Sequence, residues 1–230
     1  GTLLTAAGAG RRAIDRAFDR GYGKPDACAE LRFDGMTDRV IVRMALDKLG
    51  VPPTEERIDA LLDDYAELLA EELSAASDEH CRALPGAEVL VQRLTGEGWC
   101  VGLGTGNIER GAQLKLERVG IAFSRFRFGG YGSDAEHRPE VIRIALERGA
   151  RRLGASPPDC TAVVIGDTPK DISAAHEAGC RCLAVATGPW TREDLLRAGA
   201  DCAVEDLRAS EGWHYLTSLS HRAQTPDNPR

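Results

Sequence analysis

What most constrains the fold of this 230-residue chain is the alternation of apolar runs and helical stretches after Pro85. Four short runs, "WCVGLGTGN", "TAVVIGDTP", "RCLAVATG" and "ADCAVEDL", each finish in a glycine-rich or polar turn. Between them lie "ERGAQLKLERVG", "RPEVIRIALERGARRLG", "DISAAHEAG" and "REDLLRAG", and "GAEVLVQRLTGEG" precedes the first; all five read as helices. Near-continuous apolar strands alternating with helices imply a parallel sheet covered on both faces. In such a sheet ligands bind at the carboxyl ends of the strands. The expected fold class is therefore α/β, with its chemistry in the turns that close the apolar runs.

Ahead of Pro85 the pattern is different. From Arg11 to Leu84 only helices are read. "TEERIDALLDDYAELLAEELSAAS" sets Ile58, Leu61, Leu62, Tyr65, Leu68, Leu69 and Leu73 on one stripe, with acids opposite. "DRVIVRMALDKLG" closes at Gly50 before Pro52-Pro53, and "RRAIDRAFDRGYG" ends at Gly21. An all-helical insertion over 7–84 is thus set against an α/β domain over 85–209. The tail, 210–230, shows no clear periodicity, ends in polar residues and Pro, and is expected to be loosely ordered.

Bulk properties narrow the class of partner. A net charge of −7 argues against a nucleic-acid or anionic-membrane surface, since either needs a basic patch. Seven scattered Cys residues, an odd number without a C-x-x-C pair, fit a reducing cytoplasm better than a disulfide framework. No run approaches the roughly 18 apolar residues of a membrane span. A cytoplasmic protein with a small-molecule partner, monomeric or homodimeric, is expected.

Three strand ends carry chemistry. Thr105 follows "VGLG", and the backbone N–H groups of Gly106 and Asn107 could face an anion, making a phosphate-sized cradle; a plain helix cap explains the same residues. In "VVIGDTPKDI", Asp167 and Asp171 follow a buried strand, spaced so that loop and first helical turn can aim both at one point. Two such carboxylates are costly to desolvate without a cation between them, and Mg²⁺ is the natural occupant. A helix cap accounts for one of the two. Arg138, before Pro139 at a helix start, is unhelpful to that helix and suggests a phosphate or carboxylate partner, although a lone surface Arg looks the same.

Taken in order, the apolar strand ending at Thr105, the basic residue before Pro139 and G-D-x-x-x-D at 166–171 resemble motifs two, three and four of the haloacid dehalogenase-like (HAD) hydrolases. The first motif of that family ends D-x-D-G-T-L, and this sequence begins "GTLL". Residues 1–6 therefore look like the remnant of motif one and a linker, with strand and both aspartates cut away. "FDGMTDRVIVRMAL" and "LPGAEVLVQRL" look like cap and re-entry segments of the phosphoglycolate-phosphatase-like branch. The resemblance implies a Rossmann-like core with an inserted helical cap over 7–84, its central first strand absent.

It also implies a Mg²⁺-dependent phosphatase of a small phosphorylated metabolite, working through an aspartyl-phosphate. Thr105, with Gly106 and Asn107, would bind the phosphoryl group, Arg138 would neutralise its charge, and Asp167 and Asp171 would hold Mg²⁺. Thr37, Asp38 and Arg39 are where cap contacts to substrate would be sought, although Thr37 and Asp38 would equally cap "RVIVRMAL". With nucleophile and acid/base missing, the chain as given is expected to be inactive. The alternatives are a sugar-phosphate mutase, a 2-haloacid dehalogenase (which Asp167 opposes) and a non-catalytic phosphate-binding or interaction protein.

Overall fold

The computed structural model describes residues 1–33 and 35–222. Contacts divide the chain into two compact units. Gly1–Leu3, Leu84–Val101 and the chain from Leu146 onward form one; Leu4–Ala83 and Gly102–Ala145 form the other. This division does not follow the boundary expected near residue 84: the helical insertion groups with the segment that carries Thr105 and Arg138.

The second of these units begins with strand β1 (Leu4–Ala6), followed by helices α1 (Ala9–Tyr22), α2 (Asp38–Lys48) and α3 (Glu55–Ala75). Strand β2 (Cys81–Ala83) then pairs antiparallel with β1. Its core is an apolar cluster in which Ile14, Phe18, Leu46, Ile58, Tyr65 and Leu69 are essentially inaccessible to solvent. Every residue of the expected α3 stripe, from Ile58 to Leu73, is buried. Outside that cluster, Arg12, Arg16 and Arg20 of α1 pair with Glu72, Glu71 and Asp64 of α3 at 2.6 Å each. Such exposed pairs contribute little each, so burial of the stripe holds the two helices together.

Two expectations for this region are corrected. The insertion is not purely helical, because Cys81–Ala83 forms a strand; three residues are too few to show a period of two. Helix α1 runs past Gly21 to Tyr22, and Gly23, at φ +63°, terminates it. The unit continues with β3 (Leu103–Gly104), α5 (Glu109–Arg118) and β4 (Gly129–Gly130), β3 and β4 pairing in parallel.

The first unit holds α4 (Ala87–Gly96) and a parallel sheet in the order β5 (Val163–Gly166), β6 (Arg181–Val185), β7 (Cys202–Val204). Helices α7 (Pro169–Glu177), α8 (Arg192–Arg197) and α9 (Ser210–Arg222) follow the three strands in turn. The remaining helix, α6 (Arg138–Arg152), runs across the division between the units. Leu90, Leu94, Leu183, Val185, Val204 and Leu216 form the first unit's core, as a sheet buried on its faces requires. Parallel strands joined through helices are the α/β class expected.

The tail is corrected as well. Ser210–Arg222 is helix α9, with Leu216 2% exposed and the Arg93 guanidinium 3.5 Å above the Trp213 ring. Trp213, Leu216 and Leu219 supply one narrow apolar row among polar residues, too sparse to register as a period. Residues 223–230 of that expectation lie outside the described residues.

Candidate active site

The sequence-derived site residues fall in both units. In the first, β5 ends at Gly166, and Asp167 and Thr168 lead into α7. Thr168 is the N-cap: its Oγ1 accepts from the Asp171 N–H at 3.2 Å. In return Asp171 Oδ2 accepts from Thr168 N at 3.0 Å, Thr168 Oγ1 at 2.8 Å and Asp167 N at 3.1 Å. This reciprocal box satisfies the orphan donors at the helix start. It also explains Gly166, where a Cβ would lie 2.4 Å from that of Asp171. Asp171, 5% exposed, thus organises the loop through Oδ2, and that oxygen is committed to the cap rather than to a cation.

Asp167 is differently engaged. It is 6% exposed, and its Oδ1 accepts from Thr2 Oγ1 at 2.9 Å. Its Oδ2 accepts from Gly1 N at 2.7 Å. Thr187 Oγ1 donates to the Gly1 carbonyl at 3.0 Å. The "GT" of the opening "GTLL" therefore lies against the first aspartate of G-D-x-x-x-D, across a sequence separation of 165 residues. As a test of fit to Mg²⁺, Asp167 offers one hard oxygen donor. Among the described residues no three His, Cys, Asp or Glu side chains gather to hold a metal ion, so the shell on these residues is partial.

In the second unit the turn after β3 is clamped from two sides. Thr105 N–H donates to Gly130 O at 3.0 Å and prolongs the β3–β4 ladder. Gly106 O accepts from Asp38 N–H at 2.7 Å, and Asn107 O accepts from Gly132 N–H at 2.8 Å. A Cβ on Gly106 would stand 2.2 Å from Met36 O, so only glycine admits this approach. Asn107 N–H is not turned to an anion as expected: it donates to Thr105 Oγ1 at 3.2 Å, joined there by Asn107 Nδ2 at 2.8 Å.

The cap candidates also resolve. Thr37, 1% exposed, is the N-cap of α2; its Oγ1 accepts from Val40 N–H and donates to Glu136 O at 3.2 Å. Asp38, 6% exposed, accepts the Ile108 N–H at 2.8 Å and thereby anchors the start of α5. Thr37 thus caps α2, as the capping alternative had it, whereas the Asp38 carboxylate holds the start of α5 rather than α2. Arg39 pairs with Asp59 at 2.6 Å and with Glu55, and helps wall an open cleft of about 440 Å³ bordered by Ile108, Arg110, Gln113 and Ser133. Arg138 opens α6 and is half-buried.

One group escaped the sequence reading. Lys115, on α5, donates from Nζ to Asn107 Oδ1 and, at 3.3 Å, to the Tyr65 hydroxyl. Tyr65 in turn hydrogen-bonds Asp38. Burial pushes the Asp38 carboxyl up, opposed by Lys115, the Ile108 N–H and Tyr65. Burial pulls Lys115 down, opposed by Asp38, and raises the Tyr65 phenol well above its ordinary value. Nothing in "ERGAQLKLERVG" distinguishes this lysine from a solvated one; its signal lies in the tertiary approach of α3.

The chain is similar to known proteins over most of its length. The HAD-hydrolase-like family model matches residues 138–210. A phosphoglycolate phosphatase of Xanthomonas campestris pv. campestris is 29% identical over 168 residues, 73% of this chain and 71% of that protein. Probable phosphatase IndB of Dickeya dadantii is 25% identical over 190 residues, 79% of each. Among solved structures, a hydrolase from Pseudomonas syringae aligns with a TM-score of 0.66 at 21% identity, covering 95% of both chains. CbbY from Rhodobacter sphaeroides, in complex with phosphate, aligns with a TM-score of 0.66 at 19% identity, over 90% of this chain and 91% of that one. Over residues 138–210 the chain thus resembles the HAD-like hydrolases, and its fold is that of these solved structures. The curated relatives it resembles are named as phosphatases, two of them phosphoglycolate phosphatases.

Proposed function

We propose that this chain carries the phosphate-binding and cation-holding parts of a Mg²⁺-dependent phosphatase acting on a small phosphorylated metabolite. The observation that carries the reading is the seating of Gly1 and Thr2 on Asp167. In the family, the G-T of motif one follows the catalytic D-x-D, and here that pair meets the first aspartate of G-D-x-x-x-D. Phosphoryl transfer depends on charge neutralisation and in-line positioning more than on covalent chemistry from the protein. Thr105 supports this role, because its Oγ1 accepts twice from Asn107 and its own proton remains to be donated to a phosphoryl oxygen.

Within this reading Thr105 binds and orients the phosphoryl group, and Arg138 offsets its charge. Asp167 is the carboxylate that would hold Mg²⁺, and Asp171 keeps the Asp167 loop in place through its cap. Mg²⁺ held by Asp167 would supply positive charge for phosphoryl transfer. The family's nucleophile and acid/base stand in the D-x-D ahead of G-T-L, and none of these 230 residues occupies that position. Glycolate-sized substrates are the first to test, given the names of the relatives. Seven unpaired thiols suit a reducing cytoplasm, and no described helix is long and apolar enough to cross a membrane.

The test compares the 230-residue chain with a form preceded by an apolar strand ending in D-x-D, assayed on p-nitrophenyl phosphate with and without Mg²⁺. Mg²⁺-dependent hydrolysis in the extended form, lost in Asp167→Asn and strongly lowered in Thr105→Val, is the expected result. An extended, folded protein that releases no p-nitrophenol would refute the reading.

A further inference from the structure

We propose that Lys115 is a positioning residue which, through the Asn107 amide, fixes the Thr105 hydroxyl as an obligate donor toward a bound phosphate oxyanion. The inference rests on the phosphatase reading above and adds a residue to it. An ammonium can only donate, so the side-chain atom of Asn107 that faces Lys115 Nζ must be the carbonyl Oδ1. That sets the NH₂ end of the amide toward Thr105, where Nδ2 donates to Oγ1 at 2.8 Å. The Asn107 backbone N–H donates to the same oxygen at 3.2 Å. A hydroxyl has two lone pairs and one proton. With both lone pairs taken, Thr105 can take part in a further bond only as a donor, and that proton has no acceptor among the described residues.

The direction of each bond is the same along the whole path. Lys115 gives a proton to Asn107, Asn107 gives one to Thr105, and Thr105 has one left to give. A positive charge at the head of such a row polarises each member in the sense that strengthens the last donor. Lys115 is itself held in place: its second bond goes to the Tyr65 hydroxyl, which is bonded to Asp38, and its Nζ sits 3.2 Å from where a Cβ on Gly10 would be. The ammonium therefore has little room to reach the phosphate directly, and its influence runs through the amide.

The experiment is calorimetric titration of inorganic phosphate into the full chain, with Lys115→Met, Asn107→Ala, the double variant and Thr105→Val. Loss of a charge-assisted donor row should weaken phosphate binding roughly tenfold or more in Lys115→Met. Since Lys115 acts through Asn107, the double variant should bind no more weakly than Asn107→Ala alone. Additive losses, or a Lys115→Met variant that binds within about twofold of the parent, would overturn the positioning role while leaving the phosphatase reading intact. Unchanged binding in Thr105→Val, or none in the parent, would remove that reading and this inference with it. Should Lys115→Met fail to fold, the Asn107 side-chain amide in the parent decides by NMR. A proton of Nδ2 that is protected from exchange, and that loses protection in Thr105→Val, supports the row; an amide exchanging as freely as a surface Asn overturns it.

Discussion

Replacing Asp38 by Asn removes the charge from the buried polar row while keeping its shape. The Asn oxygen can still accept the Ile108 N–H, so the start of α5 keeps its anchor. What goes is the charge that holds the Lys115 ammonium up against burial. Breaking a fully buried pair at one end costs about 3–5 kcal/mol; Lys115 is only half-buried, so a loss of about 2–3 kcal/mol is expected near neutral pH. The pH dependence separates this cause from a packing defect. Lys115 has its folded pKa pulled below the unfolded value, so the unfolded chain binds the extra proton and stability rises with pH. In the parent, Asp38, with its folded pKa pushed up, contributes the opposite slope: its share of stability is lost as pH rises through the folded pKa. With Asp38 gone, only the rising slope remains, at most about 1.4 kcal/mol per pH unit. Urea unfolding followed by circular dichroism at about pH 7 and about pH 9.5 should show the deficit of Asp38→Asn shrinking as the pH rises toward the ordinary lysine value of 10.5. A variant as stable as the parent, or one whose deficit is the same at both pH values, would refute the argument that Asp38 neutralises Lys115.

Cys28 and Cys182 are buried thiols pushed up to about 12 from an ordinary 9.0. Their share of stability is complete below pH 9 and lost as pH climbs toward 12, so about pH 10 should cost roughly 1.4 kcal/mol per thiol in urea titrations, and Cys28→Ala should lessen the drop. Gly106→Ala forces a methyl group to 2.2 Å from Met36 O, and thermal unfolding should register a loss of about 1–3 kcal/mol; an unchanged midpoint would show the clamp to be slack. Leu216→Ala should cost about 2–5 kcal/mol, since the side chain is 2% exposed in the first unit's core; a loss under about 0.5 kcal/mol would mean α9 is not docked as described.

Both kinds of element were legible where burial writes a repeat into the chain. The α3 stripe from Ile58 to Leu73 shows because a helix packed on one face must repeat its apolar residues at that interval. "VVIG" and "CLAV" show because a strand covered on both faces needs no polar alternation. The pair Cys81–Ala83 and Leu4–Ala6 did not show, since three-residue strands carry less than two periods and their partner lies far off in sequence. Helix α9 was missed for a related reason: its buried row is one residue wide, and most of its surface is polar.

The site divides along the same line. Asp167, Asp171 and Thr105 are visible because a polar residue directly after a buried strand is costly unless it has a task. The task itself is not written locally. Asp171 and Asp167 look equivalent in "GDTPKD", yet one closes a capping box with Thr168 and the other accepts from Thr2, far off in sequence. The difference arises from helix geometry, which puts the N3 carboxylate back over its own N-cap and leaves the residue before the cap outside that box. Lys115 makes the point most sharply. Its helix offers a mixed surface on which any lysine would look solvated, and only the arrival of Tyr65 and Asp38 from a segment some fifty and more residues earlier turns it into a half-buried, engaged donor. Where a charge is stabilised by groups distant in sequence, the physical reason for its presence is tertiary, and a single chain read in order cannot display it.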